Sequence, residues 1–237
     1  MIPDRKRVQS LLTRRGRQTH GRIVVEGVRL VEDALRAQVG VDWLYYVPDA
    51  AEGRLSKLVD EARDRGIRTV EVTSTELRSV TETETPQGIA VVVVIPEWGW
   101  ESLAEHSSGD ILILDGVRDP GNVGTLLRSA EAAGARGILA MHGTVELANP
   151  KVVRASMGAF FRLPSIGGTE ANEVHNFCTG LGMPIVTTDV EAGESLASLA
   201  DTHAVGLVLG GEAEGAGDIW KEVGAKSTHI PMHGAVE

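Results

Sequence analysis

Apolar and polar positions alternate along this chain in two distinct periods, and the switches between them lay out a series of strands and helices. Arg22 to Gly27 is a short run with valines and an isoleucine at its centre, followed at Val28 to Ala37 by apolar residues at helical spacing; together they predict a β-α unit. Asp42 to Pro48 predicts a strand, Gly53 to Arg65 a helix closed by Gly66, Thr69 to Thr73 a strand, and Gly88 to Ile95 a buried strand. The result is a small α/β sandwich in the first half of the chain.

The second half repeats the alternation. Strands are predicted at Ile111 to Val117, Gly137 to Met141, Leu163 to Ile166, Pro184 to Thr188 and Ala204 to Leu209. Helices are predicted at Gly124 to Ala133, Pro150 to Ala159 and Glu170 to Leu181, with a last helix-like segment before Thr228 to Pro231. Strands and helices in strict turn favour an α/β domain, a parallel sheet with helices on both faces. Between the halves, Pro96-Glu-Trp-Gly-Trp-Glu and Ser107-Ser108-Gly109 mix breakers with a shift to acidic composition. The chain therefore divides into residues 1–97, a linker at 98–109, and a second domain at 110–237.

Composition narrows the function classes. Of the 237 residues 42% are hydrophobic, ordinary for a globular protein, and the single cysteine, Cys178, excludes an internal disulfide framework and a cysteine-based metal site. No metal is expected. The first residues, MIPDRKRVQS, lack an apolar signal core, and the longest apolar run, Ile89 to Pro96, falls far short of the roughly 20 residues that cross a bilayer. A soluble, cytoplasmic protein without membrane contact is the expectation.

The net charge of −10 hides an uneven distribution. Residues 1–97 carry 15 Lys and Arg against 15 Asp and Glu, while 98–237 carry 8 against 18. Within the first 22 residues, Arg5, Lys6, Arg7, Arg14, Arg15, Arg17 and Arg22 oppose Asp4 alone, a local charge of +6 suited to neutralising phosphates. A solvated basic end accounts for the same charges equally well.

Three segments carry candidate chemistry. Leu114 to Ala130 runs from a strand through a Gly/Pro/Asn turn into a helix that Asn122 is placed to cap and Gly134 to end, with Arg128 standing over the turn. Alone, Asn122 reads better as a simple cap and Arg128 as a surface cation. Gly206 to Gly215 is an apolar strand breaking into glycines beside Glu212, where backbone and ligand approach closely; it lacks the G-x-G-x-x-G spacing of a dinucleotide site, which leaves a nucleotide-dependent oxidoreductase weakly supported. Thr228 to Glu237 is an apolar strand end.

In this order the three segments resemble the motifs of the SpoU (TrmH-like) RNA methylase family: N-x-G-x-x-x-R at Asn122 to Arg128, L-G-x-E-x-x-G at Leu209 to Gly215, and I-P-M-x-G at Ile230 to Gly234. Lys151 to Pro164 is similar to the family as well. Val25 to Val31 and Thr85 to Gly88 resemble the ribosomal-protein-like RNA-binding domain that precedes many of its catalytic domains. The resemblance implies a trefoil-knotted domain that binds S-adenosyl-L-methionine and methylates a ribose 2′-hydroxyl of RNA as a homodimer, more in the manner of 23S ribosomal RNA enzymes than of the compact transfer RNA ones. Carried over, it gives Arg128, Asn122 and Glu212 catalytic roles on the RNA side of the pocket. Gly210, Gly215, Ile230, Met232, Thr187 and Thr188 would hold the cofactor, and Arg14, Arg15, Arg17, Arg22 and Arg154 would bind RNA.

In that family a Ser-Leu-Asn segment and an apolar helix follow Ile-Pro-Met, and they belong to the active site, the knot and the dimer. This sequence ends at Glu237, where that serine is due. The alternative expectation is therefore an RNA-binding protein of impaired activity, and the coding DNA past codon 237 discriminates the two.

Overall fold

The structure is a computed structural model that describes residues 2–105, 109–189, 194–199, 204–212, 215–229 and 231. Its elements in chain order are α1 (Arg5–Ser10), α2 (Arg14–His20), β1 (Arg22–Glu26), α3 (Val28–Arg36), β2 (Val41–Tyr46), α4 (Gly53–Asp64), β3 (Thr69–Glu71), α5 (Ser74–Arg78), β4 (Ile89–Val94) and α6 (Trp100–Ala104). There follow β5 (Ile111–Asp115), α7 (Pro120–Ala132), β6 (Gly137–Met141), α8 (Pro150–Ala155), β7 (Ser165–Thr169), α9 (Ala171–Gly180), β8 (Ile185–Thr188), β9 (Gly206–Gly210), α10 (Ile219–Glu222) and β10 (Lys226–Thr228). These elements gather into two compact units, Met1–Pro96 with Ala148–Arg162, and Glu97–Leu147 with Leu163–Glu237.

The first unit is built on a four-stranded sheet of order β1-β4-β2-β3. Its central strand β4, Ile-Ala-Val-Val-Val-Val, is rich in β-branched residues that fit a pleated surface covered on both sides, and it pairs antiparallel with both β1 and β2. Helix α3 buries Leu30, Val31, Ala34 and Leu35, the stripe that its spacing predicts. Two helices occupy the Arg-rich beginning of the chain: Thr13 caps α2 by accepting from Gly16 N at 3.1 Å, and Val8 and Leu11 pack into a core with Tyr45, Leu77 and Val92. The segment around α8, although flanked by strands of the second unit, packs here against β1, and Arg154 pairs with Glu26 at 3.0 Å and Glu82 at 3.6 Å.

The second unit is a six-stranded sheet of order β10-β8-β9-β5-β6-β7, parallel at every pairing. Ile111, Ile113, Leu139, Met141, Ile185 and Val208 face a cluster with α9 residues Ala171, Val174 and Cys178 and with Trp220 of α10. Positions on the opposite side of the pleat, Leu114, Ile138 and Ala140, are also buried, and α7 packs against β6 without joining that cluster. A parallel sheet flanked by helices is thus the architecture that the alternating sequence predicts.

The stretch expected as a linker is more ordered than its breakers suggest. It holds α6, whose Leu103 is fully buried in the second unit's core and whose Trp100 lies 4.9 Å from the Phe177 ring. Among the described residues, no helix is long and apolar enough to cross a membrane.

Candidate active site

Strand β5 ends at Asp115, and Gly116 follows in the left-handed region at φ 72°, which turns the chain away from the sheet. Thr144 fixes that turn from the neighbouring loop: its hydroxyl donates to Leu114 O at 2.8 Å and accepts from Gly116 N at 3.2 Å. The chain then enters α7 earlier than its apolar spacing predicts. Asp119, not Asn122, is the cap; it accepts from Asn122 N at 2.8 Å, and Pro120 takes the first helical position, where its missing N–H costs nothing. The Asn122 side chain is thereby left available for another partner. Gly134, at φ 74°, follows the end of the helix as expected.

Strand β9 runs beside β5 in register, with Gly210 opposite Asp115. A Cβ at Gly210 would lie 1.9 Å from the Gly215 carbonyl carbon, and one at Gly211 would lie 2.9 Å from Gly116 O. Both glycines are therefore demanded by close backbone packing, the first within its own turn and the second against the turn after β5. Gly215 N donates to Gly211 O at 2.9 Å and closes the turn that carries Glu212.

These two turns enclose an open cleft of about 520 Å³. Glycine backbone at Gly116, Gly210 and Gly211 forms one part of its wall, Val117, Leu126 and Leu209 form an apolar part, and Arg118, Asp119, Asn122, Thr125 and Glu212 supply the polar groups. Asn122 Nδ2 donates to Glu212 Oε1 across the cleft at 2.5 Å. An amide and a carboxylate joined in this way offer both donor and acceptor atoms to a bound sugar or base.

Arg128 lies further along α7, exposed and outside the residues that line the cleft. Thr187 and Thr188 end β8 at the same edge of the sheet, also outside the lining. Their hydroxyls donate to Lys226 O and Val208 O, each at 3.4 Å, and Thr187 O accepts from the Thr228 hydroxyl at 3.3 Å. Gly215 is exposed at the base of the Glu212 turn. Ile230 and Met232 lie outside the described residues.

The expected RNA-binding arginines separate. Arg14 and Arg15 are exposed on α2. Arg17 is 3% exposed and donates to Leu11 O at 3.1 Å and Leu12 O at 3.2 Å, so it holds α1 to α2 and offers nothing to a phosphate. Arg22 donates to Asp42 at 3.0 Å, and Arg154 carries the two carboxylate pairs described above. A count of charges along a sequence does not register burial, so it groups Arg17 with arginines that solvent reaches.

Asp115, at the end of β5 beside the cleft, is a residue that the sequence does not single out. Its Oδ2 accepts from Gly217 N at 2.9 Å and Trp220 Nε1 at 2.8 Å. A carboxylate at the end of an apolar strand is a signal that something there is held, but the chain order gives no hint of what.

The fold is that of an open α/β protein, a class in which ligands bind outside the carboxyl ends of the parallel strands, where this cleft lies. The SpoU rRNA Methylase family model matches residues 110–237, and the MRM3-like substrate binding domain model matches residues 3–91. The chain belongs to the SpoU rRNA methylase family.

It is 35% identical over 185 residues to the human mitochondrial rRNA methyltransferase 3, covering 74% of this chain and 43% of that protein, less than half its length. It is 29% identical over 234 residues to the 23S rRNA (guanosine(2553)-2′-O)-methyltransferase RlmP of Bacillus subtilis, covering 97% and 87% of the two chains. The crystal structure of the SpoU methyltransferase AviRb from Streptomyces viridochromogenes in complex with AdoMet superposes with a TM-score of 0.86 at 26% identity, covering 100% of this chain and 91% of that one.

Proposed function

We propose that this protein transfers a methyl group from S-adenosylmethionine to a ribose 2′-hydroxyl of ribosomal RNA, 23S rRNA in preference to tRNA. The observation that carries the reading is the pairing of Asn122 with Glu212 across a glycine-walled cleft, in a chain of the SpoU rRNA methylase family. The cleft fits the methyl donor: its volume suits a nucleoside, its apolar wall suits a base, and glycine backbone gives close approach to peptide N–H and C=O groups. Gly210 and Gly215 with Thr187 and Thr188 stand at or beside that edge, and Ile230 and Met232 complete the set that would hold it. When bound, S-adenosylmethionine supplies an already activated methyl group.

What remains for the protein is placement. A ribose hydroxyl is a weak acid, so the residues around it must hold it in line and favour the negative charge that develops on its oxygen. Asn122 and Glu212 orient the sugar. Arg128 grips the adjoining phosphate and stabilises that charge; a guanidinium offers donors and no acceptor, so it is not placed here as the base. The first unit supplies RNA affinity through Arg14 and Arg15 on α2, supported by the match of residues 3–91 to a substrate-binding domain. A trefoil knot in the second unit, a homodimer and a cytoplasmic setting belong to the same reading, supported by family membership.

Incubation with radiolabelled S-adenosylmethionine and ribosomal RNA is expected to place label on a ribose, and Arg128→Ala is expected to abolish it with the fold intact. Unchanged labelling by that variant, or salt-sensitive RNA binding without any turnover by the parent, would overturn the proposal.

A further inference from the structure

The turn that carries Glu212 leaves the sheet at Gly210 and comes back through Gly217, and both ends meet the same residue. Asp115 is the strand partner of Gly210, and its carboxylate receives Gly217 N and Trp220 Nε1 on one oxygen, at 2.9 and 2.8 Å. Trp220 is 1% exposed and packed into the core beside Ile113 and Val208, so the indole N–H is a fixed donor, not a swinging one. Two N–H groups converging on one carboxylate oxygen from different points of the arm fix its position more tightly than either alone. Asp115 is also the residue from which the chain turns at Gly116 toward Asn122. The carboxylate does not line the cleft.

We infer that Asp115 is the positioning residue of this site: by clamping the returning arm at Gly217 and Trp220 to the end of β5, it sets where Gly210 and Glu212 stand relative to Asn122. The inference rests on the methyl-transfer reading of the cleft and deepens it, because the clamp fixes the spacing between the strand end that would hold the cofactor and the pair that would orient the ribose. Without it, the return of the arm is held only by the Gly215–Gly211 hydrogen bond and by the burial of Trp220, neither of which ties it to the end of β5. Cofactor affinity then falls because binding must first order the turn.

The experiment uses the full-length protein, with the variants Asp115→Asn, Asp115→Ala and Trp220→Phe, and S-adenosylhomocysteine as the probe. Calorimetry gives its Kd and the binding-competent fraction, and the ¹H–¹⁵N resonance of the Trp220 indole reports whether the clamp is open. Asp115→Asn is expected to weaken S-adenosylhomocysteine about tenfold, and Trp220→Phe, which keeps an aromatic ring in the core and removes the donor, by about threefold. In both, the fraction of competent protein stays near that of the parent.

A purely structural clamp predicts the opposite split, a lower melting temperature or competent fraction with Kd unchanged. That result in Asp115→Asn and Trp220→Phe, with the indole resonance moved in the former, would overturn the inference while leaving the cofactor reading standing. Failure of the parent protein itself to bind S-adenosylhomocysteine would overturn the cofactor reading, and the inference with it. Asp115→Ala removes both acceptor contacts and is expected to be the weakest binder; the two gentler variants decide the matter if it does not fold.

Discussion

Asn122 on α7 donates its side-chain amide to Glu212 in the turn after β9, a hydrogen bond spanning 90 residues of sequence between two exposed side chains. Neither residue is used to hold its own element together: Asp119 caps the helix, and the Gly211–Gly215 hydrogen bond closes the turn. Exposed groups free of local structural duty cost little to remove, so Asn122→Ala and Glu212→Ala should melt close to the parent. Methyl transfer should nevertheless fall about tenfold or more in each. If the pair acts as one unit, the double variant should be no worse than the poorer single one, which steady-state kinetics on all three will show. Additive losses would mean that the two side chains act on different parts of the substrate.

Gly210 is constrained in a different way. Any side chain there meets the carbonyl carbon of Gly215 at 1.9 Å and Ala216 N at 2.1 Å, and these are backbone atoms that cannot swing aside. Gly210→Ala should therefore cost about 2 kcal/mol or more of stability and disorder the Glu212 turn, whereas Gly215→Ala, with open space around its Cβ and only its φ of 64° to oppose it, should cost about 1 kcal/mol. Denaturant unfolding of the two variants measures the difference. An equal cost would show that conformational preference outweighs packing at this turn.

Much of the architecture is legible in the sequence because it rests on local physics. The β-branched run at β4, the apolar stripe of α3 and the strand-turn-helix at β5 and α7 each declare themselves within a dozen residues. What the sequence conceals depends on distant partners. The five residues of α6 follow directly on Pro96, Trp98 and Gly99, and only the core they fill makes them a helix. The segment around α8 reads as one more crossover, yet it buries itself in the first unit. Asp115 looks like an ordinary strand end until Gly217 and Trp220, 102 and 105 residues on, are seen to converge on it. Asn122 is misread as a cap because Asp119, three residues earlier, serves equally well in type and better in position.

The arginines near the start of the chain should divide into two classes. Arg17 is buried and satisfies two carbonyls between α1 and α2, so Arg17→Ala leaves them without a partner and should destabilise the first unit by about 1–3 kcal/mol. Arg14 and Arg15 are exposed, and their replacement should leave stability within about 0.5 kcal/mol. Their effect should be on RNA: weaker binding, and a shallower dependence of affinity on salt by about one unit of slope for each phosphate no longer neutralised. Titrations at several salt concentrations, beside thermal melts, separate the two classes. A destabilised Arg14 variant or a salt slope unchanged in the Arg14, Arg15 double variant would count against this division.

Cys178 lies in α9 against the sheet, fully buried, and burial pushes its thiol up to about 11 from an ordinary value of 9.0, with Arg136 opposing the rise weakly. Desolvation disfavours the thiolate, which is the nucleophile, so the native protein should resist iodoacetamide at pH 8 while the unfolded chain reacts readily. The sign of the pH effect follows from the same shift. The folded state keeps its proton where the unfolded state has lost it, so this contribution to stability is whole below pH 9 and drains away as pH rises from about 9 toward 11. Cys178→Ala removes the titrating group, and its stability should fall less steeply than the parent's between pH 8.5 and about 10, before Tyr45, whose hydroxyl burial also drives upward, begins to contribute. Urea unfolding across that range tests the slope directly; parallel curves for parent and variant would show that the thiol is as free to ionise in the fold as out of it.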